Sequence, residues 1–150
     1  MASVVLAIVA ASATLPVIAG VQNIQEAERL RHAVEIGQAL MDEIRARPFG
    51  DVRVPDKTRG PSGLEISRLS FLNVDAFHGF SESDKVLRTY EGVSIAEETV
   101  NGFWRSVTAD YVNFAGQYAG DTDAFVLVRV DVYHGTTLMA SFSRLMSAEE

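Results

Sequence analysis

Residues 1–21 have the sequence MASVVLAIVAASATLPVIAGV, with no charged residue, no side-chain amide and no aromatic ring. As an α-helix this run measures about 30 Å, the thickness of the hydrocarbon core of a bilayer. The sequence therefore predicts a transmembrane helix. The residues that we assign to the apolar surface of this helix are Val4, Val5, Leu6, Ile8, Val9, Leu15, Pro16, Val17, Ile18 and Val21.

The helix is predicted to continue through residues 22–47 as an amphipathic half. Apolar residues recur there every three or four positions, which is typical of one apolar helix face. Pro48 marks the end, because the residue before a proline is disfavoured in helical geometry. The apolar positions are Ile24, Ala27, Leu30, Val34, Gly37, Leu40 or Met41, and Ile44.

Two other interpretations of residues 1–21 remain. A cleavable secretory signal has basic residues before a shorter apolar core, whereas the first basic residue here is Arg29. The segment Ala11-Ser12-Ala13 is nevertheless similar to a signal cleavage site. A buried core helix is the second interpretation, although a core helix does not usually need about twenty consecutive apolar positions.

The apolar run from Met1 to Val9, the proline at position 16 and the amphipathic continuation together resemble the type IV pilin and pseudopilin family. The minor pilin-like proteins of type II secretion and type IV pilus systems are the most similar group. In that family a prepilin motif precedes the apolar core: a cleavage glycine, an N-methylated phenylalanine, a threonine, a leucine pair and a glutamate. This sequence lacks the motif, and we expect it to lie just upstream of Met1, which would then be an internal methionine.

The resemblance implies an α+β fold in which a long N-terminal helix packs on a small antiparallel sheet. It also implies a non-catalytic subunit of the inner membrane, single-pass, with a periplasmic globular domain of residues 48–150 and no cofactor. Assembly into a filament would use the N-terminal helix. The implied partners are other pilins or pseudopilins, the prepilin peptidase acting on the longer form, and the assembly platform protein and ATPase.

The composition limits the other possible partners. Thirteen basic and twenty acidic residues give a net charge of −7, and every charged residue follows residue 25. Such an acidic domain does not favour nucleic acid or an anionic lipid surface as a partner. The absence of cysteine excludes a disulfide scaffold, a thiolate nucleophile and a cysteine-based zinc site.

The globular domain is predicted to begin with a surface loop over residues 49–63, where proline and glycine alternate. Residues 64–71 alternate imperfectly and predict a weak strand, and residues 89–95 predict a short edge strand. Residues 103–112, 125–133 and 136–145 predict three stronger strands, the second carrying four valines on one face. The faces that we expect to be shared are Phe103, Val107, Ala109 and Tyr111 in the first, and Leu138, Ala140 and Phe142 in the third.

A hairpin is predicted between the last two strands, with Gly135 supplying a positive φ. The three strands would form an antiparallel meander whose valine face covers the helix. The predicted contact residues are Leu40, Met41 and Ile44 on the helix and Val128, Val130 and Val132 on the sheet.

Candidate chemical groups are few. Asp75 and His78 lie in an aromatic-rich loop and fit a metal or acid–base pair, but two ligands fall short of a metal site. We favour the alternative in which Phe77 and Phe80 anchor the loop while Asp75 and His78 bind backbone groups. Asp121 and Asp123 are similar to part of a calcium loop, but the signal is weak and we favour two solvated turn aspartates.

An enzymatic function is disfavoured. The serines Ser70, Ser81 and Ser83 have no GxSxG context, and nothing in the sequence brings His32, His78 and His134 together. The main alternative is a membrane-anchored or secreted periplasmic binding module that uses Trp104 and the loop from Phe77 to Phe80. That function requires an exposed aromatic cleft, whereas a filament subunit requires an exposed apolar stripe on the helix. A hydrolase built around His78 is a third alternative.

Overall fold

The computed structural model describes residues 2–48, 70–71, 73–83, 87–89, 91–95, 100–112 and 125–147 of the chain, with the backbone alone for residues 2–17. Within these residues one long N-terminal helix packs on a four-stranded antiparallel sheet. The predicted α+β class with a helix on an antiparallel sheet is confirmed. The elements are α1 (Ala2–Arg45), a 3₁₀-helix (Val74–Phe77), β1 (Ser81–Glu82), β2 (Phe103–Tyr111), β3 (Phe125–His134) and β4 (Thr137–Ser147).

Helix α1 ends at Arg45, two residues before the predicted end at residue 47. The backbone N–H of Arg47 donates to the carbonyl of Ile44 at 3.0 Å, so the last turn is tighter than an α-turn. Pro48 explains this ending, because its ring disfavours helical geometry at Arg47.

The sheet is a simple meander with strand order β1-β2-β3-β4. β2 and β3 pair from Phe103 opposite His134 to Tyr111 opposite Val126. The connection between β3 and β4 is the tight turn that the sequence predicted, and Gly135 has a φ of 59° there.

The predicted face of β4 is wrong at one residue. A register shift follows Val132, so that Leu138 lies opposite Tyr133 whereas Ala140 lies opposite Val132. Such a bulge adds one residue to β4, which moves every earlier side chain of the strand to the opposite face. Leu138 therefore lies on the outer face, while Ala140 and Phe142 face the helix.

The core lies between α1 and the inner face of the sheet. All four valines of β3 are fully buried, and the six predicted contact residues of helix and sheet belong to one buried cluster: Leu40, Met41, Ile44, Val128, Val130 and Val132. Gly37 allows the close approach of the two layers. A Cβ atom at residue 37 would lie 2.8 Å from Cδ2 of Phe142 and 2.9 Å from Cγ2 of Val132.

Two weaker strand predictions have different outcomes. Residues 64–69 lie outside the described residues, and of the predicted strand only Ser70 and Phe71 are described. In the described residues 87–89 and 91–95 the chain forms an isolated bridge, Arg88 with Ser94, instead of a strand of the sheet. Gly92, with a φ of 79°, supplies the turn inside this bridge.

Candidate functional site

The exposed surface of helix α1 carries a row of apolar residues at every third position. The row begins with Ile18, Val21 and Ile24, which are 53%, 50% and 61% exposed. It continues through Ala27 and Leu30, the latter 47% exposed, and ends in the core at Ala33 and Ile36. We call residues 18, 21, 24, 27 and 30 the helix ridge. Ridges of this i, i+3 type are the surfaces that pack into the grooves of other helices.

Helix α1 is not buried against the sheet over the residues of the ridge; its buried contacts begin at Ala33. The residues that would face the sheet one to three turns before Ala33 are polar, and they border two open grooves instead of a core. A groove of about 360 Å³ is lined by Gln25, Glu28, Arg29, His32, Asn101, Phe103 and His134. A groove of about 520 Å³ is lined by Gln22, Gln25, Glu26, Arg29, Thr137 and Met139. The contact between the layers therefore stops where the sheet-facing residues become polar.

The end of the sheet beside these grooves contains no Asp, Glu, Lys or Arg. We call residues 100–104 and 132–139 the hairpin end. The rings of Trp104 and Tyr133 stack there with centroids 4.1 Å apart and planes 6° apart. The Nε1–H of Trp104 donates to the carbonyl of Gly135 at 2.7 Å, which holds the indole over the turn. Leu138, opposite Tyr133, is 45% exposed.

The loop with Asp75 and His78 lies along the edge of β2 that continues beyond its short pairing with β1. The hydroxyl of Tyr111 donates to Oδ2 of Asp75 at 2.6 Å. Nδ1 of His78 lies 3.1 Å from the backbone nitrogen of Ala109 and 2.8 Å from its carbonyl oxygen. The imidazole thus occupies the position at which the backbone of a neighbouring strand would form hydrogen bonds with Ala109 of β2. Oδ1 of Asp110 is 3.9 Å from Nδ1, beyond hydrogen-bond distance.

The aromatic residues of the proposed binding module lie on two sides of the sheet. Phe77 is fully buried, and its ring contacts Phe71 and Phe80 edge-to-face at 4.9 and 6.2 Å. The β1 register places Phe80 opposite Val107, on the inner face, whereas Trp104 lies on the outer face with Tyr133. The structure does not bring Trp104 together with the Phe77 to Phe80 loop.

Two of the three histidines line the same groove, which the sequence did not indicate. His32 and His134 both line the smaller groove, and the ring of His134 contacts Phe103 at 4.9 Å. His78 is separate, at the β2 edge. Within the described part of the chain, no three His, Asp or Glu residues are grouped so that they could hold a metal ion. Asp121 and Asp123 lie outside the described residues.

Arg105 is a buried residue that the sequence analysis missed. It lies on the inner face of β2, 1% exposed, and its Nε donates to Oε2 of Glu82 at 2.9 Å. The same guanidinium donates to the carbonyls of Ile36 at 3.0 Å and Arg88 at 2.9 Å. One side chain therefore joins α1, β1, β2 and the 88–94 bridge. An arginine within an alternating apolar strand was the only signal for it.

Over the part of the chain that the structure describes, no helix is long and apolar enough to cross a membrane. The side chains of residues 1–17, which form most of the predicted span, lie outside the described residues. The prediction of a transmembrane segment over residues 1–21 stays a prediction.

Comparison with protein-family models finds no match for this chain. Comparisons with curated proteins and with solved structures find no match either.

Proposed function

We propose that this chain is a non-catalytic, pilin-like structural subunit of the inner membrane, with a periplasmic globular domain. Residues 1–21 would anchor it. The helix would then pack against like helices in a type IV pilus or a type II secretion pseudopilus. Its partners would be other pilins or pseudopilins and the platform protein and ATPase that assemble them.

The observation that carries this proposal is the helix ridge. Ile24 and Leu30 follow the predicted span, so the hydrocarbon core of the bilayer would not cover them, and the sheet of their own chain does not cover them either. The row turns by about 60° around the helix at each step, so neighbouring helices can contact it from more than one side. Exposed apolar side chains that adjoin one another in this way mark an interaction surface. Another helix is a suitable partner, because i, i+3 ridges that fit i, i+4 grooves give a crossing angle of about 20°, the geometry of helix bundles.

The division of the helix into two parts also supports the proposal. Residues 33–44 hold the buried helix contacts with the sheet, whereas the described residues 21–31 are exposed without exception. A helix that only contributed to the core of its own domain would begin close to the first residue buried against the sheet. The backbone of α1 instead extends to Ala2, about 45 Å beyond the start of the buried contacts at ~1.5 Å per residue.

The binding module receives less support from the structure. That function needs an exposed aromatic cleft, yet Phe77 lies in the core and Trp104 stacks on Tyr133 on the other face of the sheet. The exposed apolar row on α1 is the feature that the filament hypothesis needs.

Membrane flotation of the full chain tests the anchoring part of the proposal. Ile8→Arg would place a charge in the middle of the predicted span, at a penalty of about 2.5–3.5 kcal/mol. We expect the parent chain and Gln38→Arg, at an exposed helix position beside the sheet, to float with vesicles. We expect Ile8→Arg to float much less. Equal flotation of the two variants, or no flotation of the parent chain, would contradict the anchor.

A further inference from the structure

The hairpin end lies beside the helix residues that immediately follow the predicted membrane span. Gln22, the first residue after the span, lines the same groove as Thr137 and Met139. Three to seven residues further along the helix, Gln25 and Arg29 line a groove with Asn101 and His134. Residues 22–29 rise by only about 10 Å along the helix. If residues 1–21 occupy the bilayer core, the hairpin end therefore lies within the headgroup layer.

The composition of the hairpin end suits that position. The chain has 13 basic and 20 acidic residues, yet none of them falls within residues 100–104 or 132–139. Charged side chains begin immediately beyond this end, at Arg105 and Asp131, and continue along the same strands with Arg129, Asp110 and Arg144. The part of the three strands nearest the predicted span is therefore uncharged.

The hairpin end combines two half-buried aromatic side chains, Trp104 and Tyr133, with an exposed leucine, and aromatic residues of these two types prefer a membrane interface. Trp and Tyr concentrate at the headgroup level, because each joins an apolar ring to one polar group. The Trp104 and Tyr133 rings stack on each other over the turn, and the indole N–H is already satisfied by Gly135. Leu138 adds an exposed aliphatic side chain beside Tyr133.

We infer that the hairpin end is a second membrane contact, in which Trp104, Tyr133 and Leu138 enter the headgroup layer of the bilayer that holds the helix. The inference rests on the proposed function, since it requires residues 1–21 to lie in that bilayer. Its partner is a neutral, zwitterionic lipid surface, because residues 100–104 and 132–139 carry no Lys or Arg, and Arg29 beside them is accompanied by Glu26 and Glu28. The helix and the hairpin end would together fix the orientation of the domain relative to the membrane, which the helix alone would not.

The chain offers two direct probes. Trp104 is its only tryptophan, and it has no cysteine, so a single introduced cysteine can carry a bimane label without background. In phosphatidylcholine vesicles we expect shallowly brominated lipid to quench Trp104 fluorescence at least twofold, equally at low and high salt. Leu138→Cys and Leu145→Cys form a matched pair, since the two leucines are 45% and 44% exposed on the outer face of β4. We expect lipid to quench the bimane at residue 138 and not at residue 145.

A labelled Ile18→Cys variant separates failure of this inference from failure of the anchor. If the protein floats with vesicles and lipid quenches the label at residue 18, but Trp104 and the label at residue 138 remain unquenched, the inference is overturned and the anchor stands. Equal quenching at residues 138 and 145 would overturn it too, because the contact would not be specific to the hairpin end. If the protein does not float, the anchor and this inference fall together.

Discussion

Arg105 and Glu82 form an ion pair in the core, with side chains only 1% and 7% exposed. The pair joins β2 to the two-residue strand β1, and the remaining donors of Arg105 reach helix α1 and the 88–94 bridge. A buried guanidinium is tolerated only where its charge and its N–H groups find partners. The hydrogen bonds of Arg105 to Glu82, Ile36 and Arg88 meet that requirement, so this residue orders the edge of the domain that lacks a long strand.

We expect Glu82→Leu to lower the free energy of unfolding by about 3–5 kcal/mol, because it leaves the Arg105 charge buried without its counterion. Urea denaturation measures this change. The matched control is Glu35→Leu, which removes the partner of the exposed Arg31 at 3.6 Å and should change stability by less than about 1 kcal/mol. Equal losses in the two variants would show that the buried pair has no special role.

We expect Gly37→Ala to destabilise the protein by about 1–3 kcal/mol, although alanine is the better helix former. The added methyl group would overlap Phe142 and Val132. Gly20→Ala is the control, since a Cβ at residue 20 would meet nothing within 4 Å and should leave stability unchanged or slightly raised. The double variant Gly37→Ala, Phe142→Ala should lose less than the sum of its single variants, as measured in a thermodynamic cycle. Strict additivity would exclude the overlap.

We expect His78→Ala to lower stability by about 1–3 kcal/mol, because the backbone of Ala109 loses the ring nitrogen that satisfies it. The local consequence is faster hydrogen exchange at the Ala109 amide. His32→Ala, which removes a partly exposed ring 3.5 Å from Glu35, should change stability by less than about 1 kcal/mol. Unchanged exchange at Ala109 in His78→Ala would mean that the imidazole does not act as part of the sheet edge.

Local patterns predicted the long helix, the three longer strands and the hairpin. Alternation in β3 placed its four valines on one face, and Gly135 marked the turn. These features depend on period and turn chemistry, which neighbouring residues determine.

Features that depend on distant partners were not predictable in the same way. The bulge that turns Leu138 outward arises from the register between β3 and β4. Arg105 was omitted from the inner face of β2 because periodicity counts arginine as polar, and its partners Glu82, Arg88 and Ile36 are 17 to 69 residues away. The grooves beside Gln25 and Arg29 could not be predicted either, because they are lined by residues of both the helix and the sheet, and the sequence does not show how the two are placed. The sequence predicted Ile24, Ala27 and Leu30 as part of an apolar helix face. It did not show that they stay exposed, because that depends on where the helix begins to contact the sheet.

Disulfide cross-linking in membranes tests directly whether the helix assembles with other helices through the ridge. The chain has no native cysteine, so Ile24→Cys on the ridge and Gln38→Cys at an exposed position of the same helix can be compared under identical oxidation. We predict that Ile24→Cys forms a cross-linked species, either with itself or with a co-expressed pilin-like subunit that carries a cysteine at the aligned position, and that Gln38→Cys forms much less. Cross-linking that is equal at the two positions, or absent at residue 24, would contradict assembly through the ridge.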